Sequence, residues 1–287
     1  MKVVKKIGEV LIAFLLTLLI VLNFVIILVS NTILNKNYLI SRLEKSDFYE
    51  KIETDLKNGF EEYQYQSGLP ESVFDNLCST EMIKEDINLV INNLYDGTEI
   101  SSSNLEIVKQ KITENVNDYL RENNVVLTGE QQKNIDEFQQ LIIDVYANKT
   151  VNLFSSFSTQ IGEMIQKVSK VIGVVKIFVE ICLIIFIVIL IICNFRNIGS
   201  LLNIFGIALS SSGMLLIWIN WLINKNINID NILLISESLS YLIKDIIYNI
   251  LSNINIYGLS FAVIGFISII IGNYKKNNSG LFRNYKD

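Results

Sequence analysis

The sequence of 287 residues contains no histidine. This absence removes the commonest general base near neutral pH and the commonest protein ligand of zinc, copper and haem iron. The sequence also has no phosphate-binding glycine loop, no nucleophile elbow and no zinc-ligand spacing. We therefore expect a protein that is not an enzyme and that has no cofactor and no metal ion.

Proline and charged residues are scarce as well. Pro70 is the single proline, and only 18% of the residues are charged, against about 25% in typical soluble domains. Hydrophobic residues make up 51% of the chain, and the mean hydropathy is +0.40. This composition predicts a mostly helical chain that uses the lipid bilayer as a second solvent. The net charge of −5 argues against a nucleic-acid partner.

Cysteine is the third scarce residue, with Cys78, Cys182 and Cys193. Cys182 and Cys193 fall within an apolar run, where we expect buried, small hydrophobic side chains. Cys78 then has no second cysteine on its side of the membrane. A free thiol is the first interpretation of Cys78, and an intermolecular disulfide is the second.

Long apolar runs are abundant, and the first begins after Lys2, Lys5 and Lys6. A secretory signal peptide also starts with basic residues, but its apolar part has only about 7–15 residues. The run in this chain is longer, and no small-residue cleavage site follows it. We expect residues 10–34 to remain as an uncleaved transmembrane anchor.

Three further runs are long enough for spanning helices, which need about 20 apolar residues. The second and third runs are separated by only a few residues, which predicts an antiparallel hairpin. The resulting expectation is an all-α integral membrane protein with four transmembrane helices and a helical domain between spans 1 and 2. The expected segments are a cytoplasmic N-terminus at 1–9, spans at 10–34, 171–195, 198–223 and 256–274, the domain at 35–170, an outer loop at 224–255 and a cytoplasmic tail at 275–287.

The flanking charges predict the orientation, because cytoplasmic loops are enriched in lysine and arginine. The domain segment, residues 36–170, carries 13 basic and 23 acidic residues. The N-terminus, the hairpin turn at Arg196 and the tail are instead mainly basic. We therefore expect a multi-pass protein of the cell membrane, with cytoplasmic termini and an acidic domain outside.

Residues 232–254 are apolar enough to suggest a fifth span. Glu237, Lys244 and Asp245 interrupt this segment, and a charge at a helix centre costs about 2.5–3.5 kcal/mol on insertion scales. The apolar residues also follow one helical face. We expect an amphipathic helix that lies on the outer membrane surface or packs on the outside domain.

The outside domain shows helical periodicity throughout, with recognisable ends. Ser46 is the expected N-cap of its first long helix, Gly68 ends that helix, and Thr128 with Gln131 matches a capping box. We expect the pairs Glu61–Glu62, Glu85–Asp86 and Asp136–Glu137 to lie on solvated faces. The first predicted helices of the domain are 47–66, a short helix from Pro70, 81–95, and 104–123 with Ser103 as its cap. A long helix follows from residue 128 into span 2, either continuous or with a slip near residues 148–152.

Two features of the spans are candidate functional sites. Glu180 is the only acidic residue in the predicted spans, and Lys176 precedes it by one turn. The pair is either structural, near the outer interface, or part of an ion or proton path. In span 4, Gly258, Ala262, Gly265 and Gly272 share one face with Ser268. Such small residues permit close helix packing, either within the bundle or at a dimer face.

Several short runs carry a family resemblance. They are residues 37–52 with Asp47-Phe48-Tyr49, then Ser67-Gly68-Leu69, then Leu94-Tyr95-Asp96-Gly97. These runs resemble an uncharacterised group of four-span membrane proteins of low-GC Gram-positive bacteria with an extracytoplasmic helical domain. The resemblance implies a topology and a bacterial origin, and it implies no activity.

Three functions compete on the sequence alone. The first is a non-enzymatic envelope protein whose outside domain binds, senses or scaffolds another envelope component. The second is an oligomeric channel or transporter subunit. The third is an extracytoplasmic enzyme, which without histidine would need serine–lysine or carboxylate chemistry. We favour the first, with the lipid bilayer and an envelope protein or a second copy as partners.

Overall fold

The computed structural model describes residues 2–98, 104–195, 197–232 and 237–281. Helix accounts for 88% of the described residues, which contain no strand, so the expected all-α class is confirmed. Their α-helices are α1 (Lys2–Asn31), α2 (Lys36–Lys45), α3 (Phe48–Ser67), α4 (Thr80–Asp96), α5 (Leu105–Glu122), α6 (Gly129–Lys149), α7 (Asn152–Asn194), α8 (Ile198–Asn226) and α9 (Glu237–Leu281), with 3₁₀ turns at Glu71–Val73 and Ile229–Asn231.

Four of these helices are long and apolar enough to cross a membrane. The segments are Ile7–Asn31 in α1, Gly162–Asn194 in α7, Ile198–Asn226 in α8 and Glu237–Lys276 in α9. Each exceeds the length of about 20 residues that spans a hydrocarbon core. The expectation of four candidate spanning helices is confirmed, and it indicates a multi-pass membrane protein.

The chain divides into two compact units. We call the first the membrane unit; it comprises Met1–Leu34, Ser169–Leu233 and Ile243–Asp287. We call the second the helical domain; it comprises Asn35–Val168 and Leu234–Leu242.

The core of the helical domain is built from regularly spaced apolar side chains of its helices. Along α3, every fourth side chain from Phe48 to Phe60 is buried. Ile83, Ile87 and Val90 of α4 are fully buried as well, and each such side chain contributes about 1.5–3 kcal/mol. The stripes of α5 and α6 complete the core with Val108, Ile112, Val116, Ile142 and Tyr146.

Some predicted helix ends are confirmed and others are wrong. Gly68 ends α3 in the left-handed region at φ 69°, and the Thr128–Gln131 capping box begins α6. Ser46 is not an N-cap, because it is the C-cap of α2, a helix that the sequence analysis missed. After Pro70 there is only a 3₁₀ turn. The expected cap Ser103 lies outside the described residues, and Asn104 directly precedes α5.

The long helical pattern that enters span 2 is broken in the structure. Helix α6 ends at Lys149 and α7 begins at Asn152, with Thr150 between them at φ −116° and ψ −81°. The Thr150 hydroxyl donates to the Tyr146 carbonyl over 2.8 Å, and such local bonds compete with helix continuation. The slip that the sequence analysis placed near residues 148–152 is therefore real.

The predicted outer loop at 224–255 and fourth span at 256–274 need correction. Helix α8 continues to Asn226, and α9 runs without interruption from Glu237 to Leu281. The Lys244 Nζ and the Tyr248 hydroxyl of α9 donate to Asp230 of the preceding turn, over 2.6 Å and 2.7 Å. Its expected amphipathic section is thus the first part of one long helix.

The membrane unit has two clusters of buried apolar side chains. In the first cluster, Leu16 of α1, Leu190 of α7 and Ala208 of α8 meet. In the second, Phe24 of α1 and Leu216 of α8 pack against Leu251 and Ile254 of α9. Ile247 and Ile250, from the segment predicted to lie on the outer membrane surface or to pack on the outside domain, pack against this second cluster. The apolar face of that segment is therefore used within the protein.

Candidate functional site

Lys176 and Glu180 lie one turn apart on α7, as the sequence predicts. The Lys176 Nζ is 4.0 Å from the Glu180 Oε1, and the side chains are 42% and 45% exposed. Between them, Val179 points into the protein and is only 2% exposed. The ion pair therefore lies on the flank of α7, at the surface of the membrane unit.

The small residues of α9 lie directly against α8. A Cβ atom on Gly265 would be 2.7 Å from the Gly206 carbonyl oxygen, and one on Gly272 would be 2.8 Å from the Gly199 oxygen. Real Cβ atoms do not approach backbone so closely. Ala262 and Gly258 flank Gly213 in the same way. The backbones of α8 and α9 are therefore in direct contact inside the membrane unit. Gly199 also lies at this contact, although the sequence did not predict it.

Two polar contacts tie the membrane helices together, and the sequence analysis missed both. The Asn203 Nδ2 of α8 donates to the Asn273 Oδ1 of α9 over 2.8 Å. The Thr17 hydroxyl of α1 lies 3.2 Å from the Ala208 carbonyl of α8. Thr17 is buried, whereas Asn203 is half-buried and Asn273 is exposed, and no sequence pattern distinguishes them from the other asparagines and threonines of the chain.

The membrane unit also contains a cavity of about 590 Å³ along α1 and α8. Most of its wall is apolar, with Phe14, Ile204 and Leu215 among its lining residues. Its polar lining side chains are Glu9, Thr17, Ser200, Asn203, Ser211 and Lys276. The cavity could hold an amphipathic molecule, because its surface is apolar with a few polar groups.

The helical domain carries a cleft of about 300 Å³ that we call the acidic cleft. Its lining residues come from α3 and from the start of α9: Glu50, Lys51, Thr54, Asp55, Glu237, Ser238 and Tyr241.

Hydrogen bonds and a cation–π contact order the acidic cleft. The Ser238 hydroxyl donates to the Asp55 Oδ2 over 3.1 Å. The Lys51 ammonium lies 4.4 Å from the centre of the Tyr241 ring, a favourable cation–π distance. Glu50 and Glu237 remain exposed at the cleft. The cleft therefore presents the exposed carboxylates of Glu50 and Glu237 beside an ordered Asp55, which suits a cationic group.

A fully buried carboxylate lies at the centre of the helical domain. Asp86 of α4 is 0% exposed. It accepts a 2.8 Å hydrogen bond from the Tyr146 hydroxyl of α6 and a 2.9 Å bond from the Asn104 Nδ2. Burial, with the neighbouring Asp86 charge second, raises the pKa of Tyr146 far above its ordinary value. The expectation that Glu85 and Asp86 are a solvated pair is wrong for Asp86, which has a structural role.

The cysteines differ from expectation in one respect. All three are free thiols, and burial, with Glu53 second, raises the pKa of the Cys78 thiol to about 11. Cys78 is therefore protonated and unreactive near neutral pH. The expected burial of Cys182 and Cys193 is wrong, because Cys182 is only half-buried and Cys193 is exposed at the outside of the membrane unit.

The described residues contain no group of histidine, cysteine, aspartate and glutamate side chains that could hold a metal ion. No family model matches the chain, and no curated protein or solved structure matches it either. Inference about function therefore rests on the two units and on the chemistry of their surfaces.

Proposed function

We propose that this protein is a non-enzymatic membrane protein of the bacterial cell envelope whose helical domain, outside the cell membrane, binds, senses or scaffolds another envelope component. The observation that carries the proposal is the acidic cleft on a compact domain that has its own core. We propose that a cationic segment of the partner enters this cleft.

The orientation in this proposal rests on the charge distribution. The N-terminus, the turn at Arg196 and the tail are basic, whereas the domain is strongly acidic, and cytoplasmic segments are generally the basic ones. The resemblance to the Gram-positive group supports the same topology. Both termini would then be cytoplasmic, with the domain outside.

The chemistry of the acidic cleft supports recognition. Its central charges are already engaged: Lys51 contacts Tyr241, and Asp55 accepts from Ser238. The exposed carboxylates of Glu50 and Glu237 have no such fixed geometry towards a reacting centre. They resemble the charged rim of a binding surface, which sets specificity and the rate of association.

Site-specific photocrosslinking in native membranes tests the proposal. A photoreactive residue at Thr54, which is exposed within the cleft, should capture one defined envelope protein. The matched control is the same residue at Arg121, exposed on α5, which should not capture it. Glu50→Gln with Glu237→Gln should reduce capture about tenfold if the partner is cationic. Equal capture from Thr54 and Arg121, or capture that ignores the charges, would overturn the proposal.

The second candidate function is an oligomeric channel or transporter subunit. The cavity along α1 and α8 supports it, because polar and charged side chains are rare in membrane interiors unless they line a path or a site. Ion flux through the purified protein in liposomes tests it, with Glu9→Gln and Glu180→Gln as variants. Flux that both variants abolish would move the assignment to this function, and absence of flux would reject it.

A further inference from the structure

Helix α7 is the candidate span that the rest of the protein covers least. Only 11% of the most apolar stretch of α7 is buried within the protein, compared with 44% for the corresponding stretch of α8. Exposed apolar side chains alone do not indicate a partner, since lipid tails cover them equally well. The informative residues on α7 are therefore the ionisable ones, because a charged side chain is unfavourable in contact with lipid tails.

Lys176 and Glu180 are such residues. Glu180 precedes Asn194, the last residue of α7, by 14 positions, or about 21 Å along the helix. That distance lies within a hydrocarbon core of about 30 Å. Ionisable side chains at such depth almost always face protein or a water-filled cavity. In this chain nearly half of each side chain is exposed at the outside of the membrane unit.

Ser169 and Gly173 lie on the same side of α7 as the ion pair. At 3.6 residues per turn, the four residues fall within about 60° of the helix circumference. Among the described residues, none comes within 4 Å of a Cβ position on Gly173. The glycines of α8 and α9 instead have a neighbouring helix backbone within 3.1 Å of that position. Gly173 lowers helix propensity by about 1 kcal/mol relative to alanine, and no described residue beyond its own helical turn contacts its Cβ position.

We propose that this side of α7, formed by Ser169, Gly173, Lys176 and Glu180 and called the α7 face, binds the α7 face of a second copy of the same chain. The small residues at the Ser169–Gly173 spacing let two helix backbones approach closely. Lys176 of each copy then reaches Glu180 of the other, so both charges leave the lipid. This dimer does not depend on the function proposed above.

Charge complementarity favours a second copy over another occupant. All copies of a membrane protein insert with the same orientation, so two α7 helices meet in parallel. A two-fold interface places the same patch on both sides, and a patch with opposite charges one turn apart is complementary to itself when the helices cross. A single face therefore provides both halves of the interaction.

Mixing two charge-reversal variants of the full-length protein tests this directly. In Glu180→Lys the α7 face has two positive charges, and in Lys176→Glu it has two negative charges. Each variant alone should dimerise about tenfold less than the unchanged protein, because like charges meet. Mixed in liposomes, the two should form heterodimers in about tenfold excess over the homodimers, measured by energy transfer between labels. The ion pair within each chain is broken in both variants, so only contacts between chains explain such an excess.

Lys167 and Glu163 provide the matched control. They form an exposed ion pair on the same helix, with Nζ and Oε2 2.9 Å apart, on the opposite side of α7. The mixture of Glu163→Lys and Lys167→Glu should pair statistically. An equal heterodimer excess for both mixtures, or none for Glu180→Lys with Lys176→Glu, would overturn the proposal.

Disulfide crosslinking gives a second measurement that does not alter the charges. In the full-length protein with Cys78, Cys182 and Cys193 replaced by alanine, Ser169→Cys should crosslink readily on mild oxidation. A disulfide needs two Cα atoms about 4.4–6.8 Å apart, a separation that close helix packing provides. Val171→Cys, which is exposed on the other side of α7, should crosslink about tenfold less. Equal crosslinking at both positions would contradict the α7 face as the interface.

Discussion

Asp86 shows how much one residue determines in the helical domain. Its carboxylate is fully buried, yet it joins α4 to α6 and to the residue before α5 through Tyr146 and Asn104. Buried charges are tolerated when hydrogen bonds replace the lost water. The sequence could not reveal this, because Glu85–Asp86 resembles every other acidic pair on the domain until the fold buries one member.

The first prediction concerns the hydroxyl that bonds to Asp86. Tyr146→Phe removes one hydrogen bond from a buried carboxylate, so we expect a loss of about 1–3 kcal/mol in the free energy of unfolding of the helical domain. Hydrogen exchange of the α4 and α6 amides in the full-length protein measures this loss. Tyr65→Phe is the control, because Tyr65 is 84% exposed and should change stability by less than about 0.5 kcal/mol. Equal effects would contradict the role of the Asp86 bond.

The same tyrosine should make the stability pH-dependent at alkaline pH. Its folded-state pKa is raised above the unfolded value of about 10, so the unfolded chain loses this proton first. The contribution is fully present below about pH 10 and is lost as the pH rises above it. The Tyr146→Phe domain should therefore lose stability less steeply above pH 10 than the unchanged domain, in the same exchange measurement.

Among the elements, those with regular apolar spacing were predictable and those set by tertiary contacts were not. The stripe of α3 and the Thr128 capping box identified their helices correctly. Helix α2 was missed because it buries only Leu43 and thus has no stripe. The contacts of Lys244 and Tyr248 in α9 were not predictable, because their partner Asp230 lies outside that helix.

The second prediction concerns the contact between α8 and α9. In Gly265→Ala the new Cβ would meet the backbone of Ser210 and Gly206, so the helices must separate, at a cost of about 1–3 kcal/mol. Unfolding of the full-length protein in mixed detergent measures this. The control is Gly8→Ala in α1, because no described residue beyond its own helical turn lies within 4 Å of the new Cβ atom. Alanine should be neutral there or stabilise by up to about 1 kcal/mol. Similar losses in both variants would show that close approach is unimportant.

At the scale of the whole molecule, exposed aromatic residues lie near both ends of α8. Trp218 and Trp221 are exposed near the end of α8, and Lys225 lies 4.9 Å from the centre of the Trp221 ring. Phe195, exposed before the start of α8, marks the other end. The separation between Ile198 and Trp218 is about 30 Å at 1.5 Å per residue, the thickness of a hydrocarbon core. Tryptophan and lysine at such positions are typical membrane–water anchors.

The third prediction tests which end of α8 lies on the cytoplasmic side of the membrane and which lies outside. Positive charges predict that Phe195, beside Arg196, is cytoplasmic and that the acidic domain is outside. With the native cysteines replaced by alanine, Tyr65→Cys should react with a membrane-impermeant maleimide in intact cells, because Tyr65 is 84% exposed on the domain that we expect outside the membrane. Phe195→Cys should react only after the membrane is permeabilised. The reverse pattern would place the acidic cleft in the cytoplasm and remove the envelope partner from the proposed function. It would leave the α7 dimer intact, since two parallel copies meet equally well in either orientation.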